Sequence, residues 1–85
     1  MEREQLQKLV YEYVTQYIFR GQLPANFNSD SPMLSTRLLD SVLTLKMINH
    51  FEDTLNVEFR AHEITMENID TINIFTDCLL RKMKG

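Results

Sequence analysis

Leu38-Leu39-Asp40-Ser41-Val42-Leu43-Thr44-Leu45-Lys46-Met47-Ile48, running on to Leu55, is the stretch whose reading decides the fold. At about 100° per residue, Leu43, Thr44, Met47, Ile48, Phe51 and Leu55 share one broad apolar arc. The segment from Ser41 to Leu55 is therefore expected to be a helix with that arc on the core. Val42, Lys46, Asn49 and Asp53 lie opposite, with Leu45, Glu52 and His50 at the edges. Val42 is the misfit, an apolar residue on the outward face directly after a serine. Aspartate and serine both favour the N-cap position, where a cap contributes about 1 kcal/mol. If Asp40 is the cap, Ser41 is the first helical residue and its hydroxyl is free to face solvent. Unpaired backbone N–H groups and the positive end of the helix dipole would favour an anionic group on Ser41 Oγ. Ser41 thus reads as a candidate modification point.

Upstream, Leu6, Leu9, Val10, Tyr13, Val14, Tyr17 and Ile18 recur at i, i+3, i+4 and i+7, with Glu4, Gln7, Lys8, Glu12 and Gln16 on the other face. This predicts an amphipathic helix of about 18 residues, roughly 27 Å long, ended by Gly21 and then Pro24. From Gly21 to Asp40, turn formers including Pro24, Asn26, Asn28, Asp30 and Pro32 compete with regular structure, although Leu34 to Leu39 is long enough for a short turn of helix. Loops beyond about 12–15 residues are commonly functional. This one is expected to pack over the bundle and position the helix that begins at its end, unless it is a plain helix crossover.

Downstream, Asn56-Val57-Glu58-Phe59-Arg60 is too short and isolated for a sheet and reads as an extended connector burying Val57 and Phe59. Thr65 is placed to cap a short helix over Met66 to Ile69, and Asp70 to cap a last helix carrying Ile72, Phe75, Leu79 and Met83 at helical spacing. The pattern predicts one all-α domain over residues 1–85: three main helices plus one short helix, with a long first loop.

Composition narrows the function. The net charge of -3 and scattered basic residues give no nucleic-acid footprint; Arg81, Lys82 and Lys84 read as cations complementing the end of the last helix. No window approaches a membrane span, and the first residues lack the basic region and apolar run of a signal peptide. A lone cysteine fits a reducing compartment, so a cytoplasmic location is expected. Cys78 lies beside the last helix's core stripe and reads as a small packed hydrophobe. Two histidines and one cysteine without close spacing make no metal site.

Ser41, His50 and Asp40 are the residue types of a hydrolytic triad, but the geometry fails. His50 lies nine positions further along the same helix, roughly 13 Å up its axis, beyond the reach of a general base. His62 escapes that argument, but no glycine-rich elbow surrounds the serine. No catalytic residue is assigned.

The run Leu38-Leu39-Asp40-Ser41-Val42, then Leu45, Met47-Ile48, Phe51-Glu52 and Leu55, then Val57-Glu58-Phe59 and Glu67-Asn68-Ile69-Asp70-Thr71-Ile72, resembles the acyl carrier proteins and the related peptidyl and aminoacyl carrier domains. The likeness spans nearly the whole chain. It implies a right-handed, acyl-carrier-like bundle and a covalent 4′-phosphopantetheine arm on Ser41, supported by Asp40. The arm would come from coenzyme A through a phosphopantetheinyl transferase using magnesium. Its thiol, not a protein cysteine, would bear an acyl or aminoacyl group as a thioester, exchanged with a loading ligase and downstream synthase enzymes.

The resemblance also makes the helix opening at Ser41 the recognition surface, with Val42, Leu45, Lys46, Asn49, Glu52 and Asp53 as partner-binding candidates. Two features depart from the fatty-acid carriers. Leu43 and Lys46 stand where those usually place acidic residues, and Leu38-Leu39 replaces the usual glycine before Asp-Ser. Fewer carboxylates steer less strongly toward a basic docking patch. A free-standing, monomeric, non-enzymatic carrier for a dedicated pathway, such as aminoacyl, polyketide or nonribosomal peptide assembly, is expected in preference to the general fatty-acid carrier. The alternative is a noncatalytic helical interaction module that keeps the bundle and never receives the arm.

Overall fold

The computed structural model describes residues 2–84. Helix α1 spans Arg3–Tyr13 and continues as a π-helical turn over Val14–Ile18. Helix α2 spans Ser41–Leu55, a 3-10 turn spans Ala61–Glu63, the short α3 spans Met66–Ile69 and α4 spans Ile72–Lys84. Among the described residues this is an all-helical bundle of three main helices and one short one with no strand, as the periodicity predicts. Among the described residues no helix is long and apolar enough to cross a membrane.

The apolar stripe of α1 buries Leu6, Val10, Tyr13 and Val14, while Tyr17, expected on the same stripe, is exposed. The π turn accounts for this departure. Phe19 N donates to Val14 O at 3.1 Å, five residues back, so the wider turn rotates the subsequent residues off the face. Thr15 Oγ1 donates to Tyr11 O at 2.8 Å, a back-bond of the kind that bends helices. Arg20 (φ 52°) and Gly21 (φ 83°) then reverse the chain in the left-handed region, which Gly21 adopts without steric cost.

Helix α4 lies closest to α1 and α3. It buries Ile72, Phe75, Cys78 and Leu79, but Met83, predicted on the same stripe, is 37% exposed because the helix has by then run past the core. Helix α2 reaches the others through aromatic side chains: Phe51 meets Phe75 edge-on at 5.7 Å between ring centroids and Tyr13 at 5.5 Å. Each such ring contributes about 1.5–3 kcal/mol on burial. Asn56, left-handed at φ 56°, ends α2 and turns the chain into the connector, whose Phe59 is buried and Val57 half-buried.

Three local expectations are corrected. Leu34 to Leu39 makes no helix; it is a hydrogen-bonded turn in which Arg37 N donates to Leu34 O at 3.0 Å and Arg37 itself is left-handed. Thr65 precedes α3 as expected, but its side chain makes no cap hydrogen bond. Asp70 does not cap α4: Thr71 does, its Oγ1 accepting Ile74 N at 3.0 Å.

Asp70 serves the long loop instead. Its Oδ1 accepts the backbone N–H groups of Met33, Leu34 and Ser35 at 3.1, 2.8 and 3.0 Å. One turn on, Asn73 N donates to Ser29 O at 3.0 Å, its Nδ2 donates to Asp30 Oδ1 at 2.6 Å, and its Oδ1 accepts from Arg3 and Gln7 of α1. The junction between α3 and α4 and the first turn of α4 thus hold the loop at two points. Phe27 adds a third, packing edge-on against Phe19 at 4.9 Å. The loop does pack over the bundle, and it delivers a fixed chain to Asp40.

Candidate functional site

Asp40 is extended (φ -93°, ψ -177°) and its Oδ1 accepts Leu43 N at 2.8 Å, so it is the N-cap of α2. This leaves Ser41 as the first helical residue, exposed to solvent. Two open possibilities are resolved together: the aspartate satisfies an orphan N–H, and the serine hydroxyl is not consumed in doing so.

Behind Asp40, the chain is pinned. Met33 and Leu39 are buried in the core, and Leu39 N donates to Met33 O at 3.0 Å, closing the segment between them. In front of Ser41, Leu45 and Thr44 on α2 face the segment Ile64 to Met66 across a groove of about 630 Å³. Leu34, Leu39, Leu45, Ile64 and Met66 make its walls apolar, and Asp40 and Arg37 are its charged residues. Its volume is in the range of small-molecule pockets, but it is a groove open to solvent and not an enclosed cavity. Ser41 itself lines it.

The floor holds an anomaly. Thr44 is buried, and its Oγ1 is closed to solvent with no hydrogen-bond partner. A buried hydroxyl without a partner costs about 1–3 kcal/mol.

Of the outward residues of α2, Val42 is 60% and Leu45 50% exposed, and Met66 across the groove is 56% exposed. Lys46, Asn49 and Asp53 are also exposed. Glu52 departs from expectation. It is half-buried and its Oε2 accepts Phe59 N at 2.8 Å, so the carboxylate closes the connector onto α2 and is committed inward. Its helix-edge position gave no hint of this, because the partner lies on the next segment of chain.

His50 joins no site with Ser41. Its ring packs at 4.7 Å from that of Tyr13 and 5.0 Å from that of Phe51, continuing the aromatic cluster between α1 and α2. Among the described residues no cluster of three or more His, Cys, Asp or Glu is arranged to hold a metal ion. Cys78 is buried, and that burial pushes its thiol pKa up against the opposing pull of Arg81 and Lys82. It is a packed side chain.

Lys82, read from sequence as a helix-end cation, has a tertiary role. Its Nζ donates to Glu63 at 2.7 Å and to Glu58 O at 2.7 Å, and sits 4.6 Å from the centroid of the Phe59 ring. The hydrogen bond from Lys82, with that from Arg60 N, holds the Glu63 carboxyl below its ordinary pKa. This cluster fixes the connector that leads to the groove's Ile64 wall.

The chain matches no protein-family model, and no curated protein matches it.

Proposed function

We propose that this chain is a carrier protein, bearing acyl or aminoacyl intermediates as thioesters on a 4′-phosphopantetheine arm esterified to Ser41, and that it serves a specialised biosynthetic pathway. The observation that carries the reading is the placement of Ser41: solvent-exposed, first in a fifteen-residue helix, released from capping by Asp40, and on the edge of an apolar groove. The resemblance in the residues around it supplies the chemistry.

In loading, Ser41 Oγ would attack the pantetheine-bearing phosphorus of coenzyme A. The new O–P bond forms as the pyrophosphate P–O bond breaks, 3′,5′-ADP leaves, and the serine proton passes to a base on the transferase. The chain contributes presentation. Asp40 keeps the hydroxyl free and the helix start favours the phosphodiester that results. Tethering then raises the local concentration of the cargo at each enzyme visited. The chemistry of the cargo belongs to the arm and to partner enzymes, met by the outward residues Val42, Leu45, Lys46, Asn49 and Asp53.

The test is intact mass after incubation with coenzyme A, magnesium and a promiscuous phosphopantetheinyl transferase. One phosphopantetheine is expected on wild-type protein and none on Ser41→Ala. A folded wild-type protein left unmodified by several transferases overturns the reading.

A second reading is favoured by one observation, the exposed apolar set Val42, Leu45 and Met66. Exposed apolar side chains of this kind suit direct contact with a partner, as in a noncatalytic interaction module that never receives the arm. Partner capture unchanged by Ser41→Ala, with no arm on protein from native cells, would favour it.

A further inference from the structure

Arg37 is the one cation among the residues that line the groove, and it has no side-chain hydrogen bond or ion pair among the described residues. It sits four positions before Ser41 and lines the same groove. Its place is fixed from both sides. The preceding turn is held by Asp70 through Leu34 N and Ser35 N, and the chain beyond it by buried Leu39, whose N–H closes onto Met33 O. Arg37 is also left-handed, at φ 63°, a conformation that glycine or asparagine adopts more readily. An exposed, unpaired guanidinium is therefore carried on a left-handed backbone position within a turn whose two ends are hydrogen-bonded in place. Among the described residues the groove's only other charged residue is Asp40, adjacent to Ser41.

A phosphodiester on Ser41 Oγ adds a negative charge next to the Asp40 carboxylate. Neighbouring like charges repel, and a cation on the same side of the chain offsets that repulsion, adding to what the helix N-terminus supplies. A guanidinium presents paired N–H donors that match two phosphate oxygens. Lys46 does not line the groove and lies on the outward face of α2. Resting on the carrier reading, we propose that Arg37 is a positioning residue that clasps the phosphodiester of the arm, so that the arm leaves Ser41 along the apolar groove.

The experiment uses the full chain loaded with coenzyme A and checked by intact mass. Phosphorus-31 spectra are recorded on loaded wild type, Arg37→Gln, Arg37→Lys and Lys46→Gln, and the Arg37 Nε–Hε correlation is followed in wild type before and after loading. The phosphorus resonance of wild type is expected to move toward its position in urea-unfolded loaded protein on Arg37→Gln, to move less on Arg37→Lys, and to stay on Lys46→Gln. The Arg37 Nε–Hε signal is expected to shift on loading, a readout that needs no variant to fold. Loaded protein in which that signal does not shift and the Arg37→Gln phosphorus resonance is unmoved overturns the role of Arg37 while leaving the carrier reading intact. Failure of wild type to load overturns both.

Discussion

Ser35 is bound to Asp70 twice over, its backbone N–H donating to Oδ1 at 3.0 Å and its hydroxyl to Oδ2 at 3.1 Å across a sequence separation of 35. This is how an irregular stretch of chain acquires a defined path. Asp70 ends the short α3, and through it the helices at the far end of the sequence set where Asp40 and Ser41 emerge.

Asp70→Ala leaves the Leu34 and Ser35 N–H groups without their acceptor, Met33 N keeping its bond to the Asp70 carbonyl, and is expected to destabilise by about 1–3 kcal/mol, read as a lowered urea midpoint with unchanged slope. Amide shifts should change at residues 33–41 more than in α1. A variant as stable as wild type, with those amides unmoved, contradicts the anchor.

The same carboxylate gives an acid signature. Partial burial pushes its pKa up, but the N–H groups of Ser35, Leu34 and Met33 and the Ser35 hydroxyl outweigh this and hold it below the ordinary value. A folded-state pKa below the unfolded one means a contribution that is present above the ordinary aspartate value of about 3.9 and lost as pH falls through the folded value. Asp70→Asn should therefore lose most stability near neutral pH and converge on wild type in strong acid. Parallel stability curves across that range would refute the assignment.

Glu63 and Lys82 act in the same direction at the connector. Because Lys82 and Arg60 N depress the Glu63 carboxyl, the pair's contribution stands at neutral pH and fades as acid protonates Glu63 below its ordinary range. Thermal melts of Lys82→Met should lie below wild type at neutral pH and approach it as the pH falls below the ordinary glutamate value of about 4.3. A gap that widens in acid would have the wrong sign.

Thr44→Val exchanges the orphaned Oγ1 for a methyl of similar size. The expected outcome is unchanged or higher stability, by up to about 1–2 kcal/mol, measured by urea unfolding. A substantial loss would show that the hydroxyl has a partner.

Cys78 should react slowly with a disulfide probe in the folded chain and quickly in urea, because it is buried and its thiol pKa is raised by that burial. Loaded protein would then show one fast thiol, that of the arm, beside one slow. A fast thiol in unloaded protein contradicts the burial of Cys78.

Sequence alone determined the main helices and where α2 begins, while the structure decided that Asp40 is its cap. Leu43, Thr44, Met47, Ile48 and Phe51 declare α2 by spacing, and Asp40-Ser41 declares its start, because periodicity and capping are interactions within a few residues along the chain. It also set the amphipathic faces of α1 and α4 up to their ends, failing at Tyr17 and Met83, where a π turn and the limit of the core intervene. Only the tertiary structure decided that Asp70 holds Ser35, that Glu52 turns in to Phe59 N, that Lys82 pairs with Glu63, and that Arg37 and Ser41 share a groove with Ile64 and Met66. Most of these pairings join residues far apart in sequence. Their residue types fit caps, solvated faces and helix ends equally well, so only the packing of the helices selects the partners.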